Sequence, residues 1–272
     1  MDYTRPVRTH LIAVLVALAA ALVARAVLQL ELREVGLQRQ FAADLSYLVV
    51  PPLLAVLLFP VLKASRGRLR ERFNTAHLNA RLVINALALG ALLRLAWWCH
   101  LIAGVSLGIY QNDVPDLVSG PVIVFRCPPA YLLATSVLVM SILVPLVEEI
   151  IHRGFVQSYL RPHGPALAIA GSAALFMIYH PLGTWGFVFI AGLLLGAQYW
   201  MTRSLWPSLI THSTINTLII FDWRCLQGQW NPPPADLPRT SVAAVAIILL
   251  VACGVSIAVL LFKMHRGERA PR

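Results

Sequence analysis

Along the chain, long apolar runs alternate with short stretches rich in charge, proline, glycine or asparagine, and the runs have the length of helices rather than strands. Reading each run between its breaks predicts helices near residues 10–30, 42–63, 82–107, 130–159, 165–180, 185–202, 204–221 and 241–263. Two stretches, Ala130 to Val147 and Val242 to Phe262, contain no charge at all. About 20 apolar residues are enough to cross the hydrocarbon core of a bilayer. The pattern therefore predicts an all-α, polytopic transmembrane helix bundle of about eight spans. What lies between the runs is too short for a separate soluble domain, so residues 1–272 read as a single transmembrane domain. The first run is too long, and followed by too many others, to read as a cleaved signal peptide.

Composition and charge sharpen this picture. The 272 residues are 58% hydrophobic and 12% charged, a balance that excludes a soluble globular domain of this size. The net charge of +10 raises nucleic acid as a partner, but the basic residues stand at the borders of the apolar runs. Lys63, Arg66, Arg68, Arg70, Arg72 and Arg81 fill the second connection, Arg153, Arg161 and Arg203 flank later runs, and Lys263, Arg266, Arg269 and Arg272 close the chain. Under the positive-inside rule these belong in the cytoplasm, and with Arg5 and Arg8 they place both termini there. Membrane lipid with anionic headgroups, and no nucleic acid, is the partner expected of this basic patch. The Ala, Arg and Leu-rich composition suggests a bacterial chain, hence a bacterial inner (plasma) membrane. Gly192 with Gly196, and Gly104 with Gly108, have the spacing of close helix contacts in lipid. Cys99 and Cys253 fall inside helices as small apolar fillers. Cys127 and Cys225 fall in two connections on the non-cytoplasmic face, where a disulfide forms only if their Cα atoms lie within about 7 Å.

A charged side chain deep in a bilayer costs roughly 2.5 to 3.5 kcal/mol on insertion scales, so embedded polar residues call for a partner or a function. The fourth run carries Glu148 and Glu149, then His152 and Arg153, before continuing apolar to Leu160. In an α-helix residues four apart share a face, which pairs Glu149 with Arg153 and aligns Glu148 with His152. One carboxylate is then neutralised, and the other is free to act as a general base toward water. His180 ends the fifth run, four residues after Phe176, and His212 and Asn216 share one face of the seventh. Arg25 reads as a residue that snorkels to a helix end, and Arg94 as a structural residue.

Taken together, EEIIHR (148–153), FMIYH (176–180) and HSTIN (212–216) resemble the EExxxR, FxxxH and HxxxN signature of the CAAX protease and bacteriocin-processing (CPBP) family, which includes the type II CAAX prenyl endopeptidases. The WPS at 206–208 is similar to the family as well, and the resemblance spans residues 130–222, a motif-bearing core of about four helices. It implies an intramembrane endopeptidase acting on a membrane protein or peptide. By position, Glu148 would activate the water with help from His180, and His212 and Asn216 would donate to the oxyanion of the tetrahedral intermediate. Glu149 and Arg153 would be supporting residues.

Glu148, His180 and His212 could alternatively hold zinc with water as the fourth ligand, although the paired glutamates and Asn216 suit a metal-free mechanism. The metal-free form is the one expected, and HExxH, GxSG and GxGD are all absent from the sequence. A non-proteolytic CPBP-fold scaffold or bacteriocin immunity protein would share the helices without needing the four polar residues. A proton-coupled transporter is disfavoured by the lack of an inverted repeat.

Overall fold

A computed structural model of the chain describes residues 4–75, 78–107, 109, 129–180, 182–220 and 240–269. Regular structure among these residues is entirely helical. The helices are α1 (Thr4–Glu34), α2 (Arg39–Tyr47), α3 (Val50–Leu57), α4 (Phe59–Arg72), α5 (Ala80–Ser106), α6 (Ala130–Ser136), α7 (Val144–Glu149), α8 (Ser158–Leu160), α9 (Pro165–Ile178), α10 (Trp185–Thr202), α11 (Leu205–Ile220) and α12 (Thr240–Arg269). Segments α6 to α8 form one continuous rod, Ala130–His163. Cys127, Cys225 and Gly108 lie outside the described residues.

Each expected apolar run is helical, and six helices are long and apolar enough to cross a membrane among the described residues. The other two runs are shorter. At 1.5 Å per residue, the 14 residues of α9 and 16 of α11 reach only about 21 and 24 Å, less than the roughly 30 Å of a hydrocarbon core. The chain is an all-α integral membrane protein.

The second run departs from expectation. It is broken into α2, α3 and α4, and the prolines explain the breaks: Pro51 and Pro60 stand in the first turns of α3 and α4, where their missing N–H is tolerated but cannot continue a preceding helix. Lys63, Arg66, Arg68, Arg70 and Arg72, expected in a connection, are helical on α4, whose Val61 and Ser65 are buried. Arg25 does not reach a helix end, since α1 continues to Glu34; its guanidinium lies 5.0 Å from the centre of the Tyr47 ring. Arg94 is buried and sits 5.3 Å from the Trp98 ring.

One apolar cluster joins α1 (Val14, Ala17, Leu18, Ala21) to Tyr47, Val50, Leu54, Leu58 and Val61, and to Val139, Val144 and Ile151 of the Ala130–His163 rod. A second joins Leu93, Ala191, Leu194 and Ile215. Small residues let backbones approach where the bundle is tightest. A methyl group on Gly192 would come within 2.9 Å of the Ala173 side chain, and one on Gly196 within 3.1 Å of Ile169, so both glycines admit α9 against α10.

The rod itself is irregular. Val137–Leu143 and Ile150–Gln157 are π-helical and flank α7. Pro145 has no N–H for the carbonyl four residues back and crowds it, which favours a widened turn ahead of it.

Candidate active site

Every element of the candidate site stems from these irregularities and short helices. α7 carries Glu148 and Glu149 at its C-terminal end, immediately before the second π-helical segment. α9 stops at Ile178, and His180 follows just past it, its Nδ1 2.9 Å from the Phe176 carbonyl oxygen. α9 is only about 21 Å long, and His180, just past its end, is an electrostatic neighbour of Glu148 on the adjoining rod. α11 presents His212 and Asn216, both buried, toward the same rod.

His212 is the point of convergence. Its Nδ1 lies 3.0 Å from Glu149 Oε1, and its Nε2 lies 3.6 Å from Glu148 Oε2. A carboxylate only accepts, so the Glu149 contact assigns the proton to Nδ1 and leaves Nε2 to face Glu148. Glu149 is 1% exposed and also pairs with Arg153 at 3.2 Å, whereas the Glu148 side chain is 18% exposed. The two adjacent carboxylates thus occupy different surroundings: one is locked in a dry ion pair, the other borders accessible space.

His152 is buried, its ring packing at 5.2 Å from Phe176 and 5.4 Å from Tyr179, and its carbonyl accepts the Ser172 hydroxyl at 2.9 Å. The contact between Glu149 and Arg153 persists although the chain turns π-helical from Ile150 onward. Asn216 donates its side-chain amide to the Met140 carbonyl at 2.7 Å, so the first π-helical segment supplies its partner.

Several residues that hold this site were not legible as functional. Phe176 was visible only as a motif letter, yet its ring lies 5.0 Å from His180, 5.2 Å from His152, 5.6 Å from His212 and 5.0 Å from the Arg153 guanidinium. Arg153 and Gln157 donate to the carbonyls of Gly192 and Gly196, at 3.0 and 2.8 Å. Gln198 donates to Thr211 Oγ1, which in turn donates to the Ala86 carbonyl, each at 2.9 Å. Buried amides in apolar runs were the available signal for Gln157 and Gln198. A further buried contact, in which Ser136 donates to Asp44, ties α2 to the rod.

Among the described residues, no group of three His, Cys, Asp or Glu side chains stands in an arrangement that could hold a metal ion. His212 directs one ring nitrogen at each glutamate, and His180 directs Nδ1 at a backbone carbonyl. The cluster is made of carboxylates, imidazoles, a guanidinium and an amide, and is mostly buried.

Residues 130–218 match the family model for Rce1-like proteins, described as type II CAAX prenyl endopeptidase Rce1-like. The match covers about a third of the chain and contains Glu148, Glu149, Arg153, His180, His212 and Asn216. The match makes this segment similar to a family of CAAX-type proteases. No curated protein and no solved structure matches the chain.

Proposed function

We propose that this chain, whose residues 130–218 form an Rce1-like domain of the CPBP family, is an intramembrane endopeptidase that hydrolyses a peptide bond with water activated by Glu148. The observation that carries the reading is the position of the His212 ring between two carboxylates of unequal exposure. Glu148 takes a proton from the water as its oxygen bonds to the scissile carbonyl carbon, and returns that proton to the amide nitrogen as the C–N bond breaks and the amine fragment leaves. The 3.6 Å between its Oε2 and His212 Nε2 exceeds hydrogen-bond length and is a spacing that a shared water closes. Glu149, itself neutralised by Arg153, fixes the His212 tautomer and orientation, as a buried carboxylate does for a catalytic imidazole.

His180, positioned on Phe176, helps to hold the water. Asn216 donates to the oxyanion, and His212 does so with a second proton on Nε2, as an imidazolium flanked by the two glutamates; preorganised donors in a water-poor site are worth most at that step. For Asn216 to serve, its amide must exchange the Met140 carbonyl for the substrate oxygen. In this mechanism Glu148 and the two histidines act without a metal ion. The substrate is a membrane protein or peptide, the location a bacterial inner membrane with both termini cytoplasmic, in keeping with the basic residues of α4.

A non-proteolytic scaffold of the same fold is the competing reading. Purified protein in proteoliposomes, given prenylated CAAX-type and unprenylated apolar peptides, separates them by mass spectrometry of the products. Cleavage of either peptide by wild type and of neither by Glu148→Gln is the expected result. Equal cleavage by both proteins, or cleavage by neither, contradicts the proposal.

A further inference from the structure

A small cavity outside the glutamate and histidine cluster has no part in the proposed chemistry. It has a volume of about 80 Å³ and is lined by Leu11, Ser65, Arg68, Arg72, Gly154, Phe155, Ser158 and Tyr159. Its walls are of two kinds. Two guanidinium groups supply hydrogen-bond donors and the Ser65 hydroxyl adds a polar edge, while the Ser158 hydroxyl donates to the Arg153 carbonyl at 3.0 Å. Leu11 and the rings of Phe155 and Tyr159 supply an apolar side.

Position fixes the depth of this cleft. Leu11 opens the first apolar span, Leu11–Glu34, and Phe155 and Tyr159 belong to the last turns of the Ala130–His163 span. The cleft therefore lies where hydrocarbon gives way to the headgroup region. Its arginines are on α4, which follows the Arg39–Leu57 span and carries three further basic residues, Lys63, Arg66 and Arg70.

The local charge is unbalanced. Arg68 donates to Ser65 at 3.3 Å, Arg72 donates to the Gly154 carbonyl, and neither forms a salt bridge among the described residues. Glu71 is the acidic neighbour of Arg72, against Arg68 and Arg161. Burial pushes the Arg72 guanidinium below its ordinary pKa, and the charges of Arg68 and Arg161 act in the same direction, so a bound anion would relieve both.

We infer that this cleft is a binding site for a phosphate group, presented by an anionic phospholipid whose acyl chains run down the Leu11 and Phe155 side. A planar guanidinium suits phosphate in a way a diffuse basic surface does not, because its paired N–H groups match two phosphate oxygens. The site also touches the catalytic rod. Arg72 holds the carbonyl of Gly154, the residue after Arg153, so the lipid steadies the turn from which Arg153 reaches Glu149. The inference depends on the fold and the cleft, and stands or falls independently of proteolysis.

The test uses the full chain in nanodiscs of phosphatidylcholine, titrated with phosphatidylglycerol and followed by thermal unfolding and by native mass spectrometry of retained lipid. Arg68→Gln is the informative variant, because Arg68 is exposed and its one hydrogen bond here is within α4. Arg70→Gln removes the same charge from the same helix outside the cleft. Phosphatidylglycerol is expected to stabilise wild type and Arg70→Gln alike, and Arg68→Gln is expected to bind it about fivefold more weakly. Circular dichroism of the variants verifies folding, and Arg68→Lys, which keeps the charge but loses the paired N–H groups, gives a second reading if Arg68→Gln unfolds: weaker phosphatidylglycerol binding than wild type is expected, and unchanged binding would overturn the site. Equal weakening by Arg68→Gln and Arg70→Gln would reduce the effect to diffuse surface attraction and overturn the site. Stabilisation by inorganic phosphate alone, with none from the lipid, would overturn the lipid as its source.

Discussion

His212 Nδ1 lies 3.0 Å from Glu149 Oε1 while the opposite nitrogen of the same ring faces Glu148 at 3.6 Å. The relationship sets the two glutamates in unlike surroundings, and in the proposed mechanism the more buried one directs the imidazole while the more exposed one meets water. It also makes the ion pair between Glu149 and Arg153 part of the site's geometry as well as its stability, which the first experiment exploits.

Arg153 is fully buried and 3.2 Å from Glu149, so Arg153→Ala leaves a dry carboxylate that keeps His212 but loses its guanidinium partner. A loss of about 3 to 5 kcal/mol is expected, read as a fall in Tm in detergent or nanodiscs. Arg153→Ala combined with Glu149→Gln should lose less than the sum of the two single changes, because the double variant removes both charges. Additive losses would mean the pair is not coupled.

Asn216 donates to the Met140 carbonyl in the resting structure and is proposed to turn to the oxyanion during reaction. Asn216→Ala is expected to lower kcat by about 100-fold to 1,000-fold with little change in KM. Its cost in stability should be only about 1 kcal/mol, the worth of one hydrogen bond. An unchanged kcat with the same small loss of stability would leave Asn216 as a tie between helices.

The second run shows what a pattern can and cannot tell. Its hydrophobic length was legible, but Pro51 and Pro60 divide it, and the basic stretch after it extends a helix that a charge-based boundary placed in a connection. The site divides similarly. Spacing alone brought Glu149 to Arg153, and motif order brought α7, α9 and α11 into one reading, but no local signal showed that His152 packs between Phe176 and Tyr179 or that the rod turns π-helical at Ile150. Phe176, whose ring touches three histidines, was equally opaque: a buried phenylalanine in an apolar run has no pattern of its own.

Topology follows from charge. Arg66, Arg68 and Arg70 on α4 and Lys263 near the end of α12 are expected on the cytoplasmic side. Alkaline phosphatase and green fluorescent protein fused after residue 272, or inserted near residue 76, should both give cytoplasmic readouts. A periplasmic signal at either position overturns the assignment.

The central claim is that Glu148, aligned with His212, activates water for peptide-bond cleavage in the membrane. The most direct measurement compares new protein termini in membrane fractions of cells carrying wild type or Glu148→Gln at matched levels, with thermal unfolding to verify that the variant is folded. The expected result is a set of membrane-protein termini present with wild type and absent with Glu148→Gln. Identical termini in the two strains, with both proteins folded and inserted, would contradict the account.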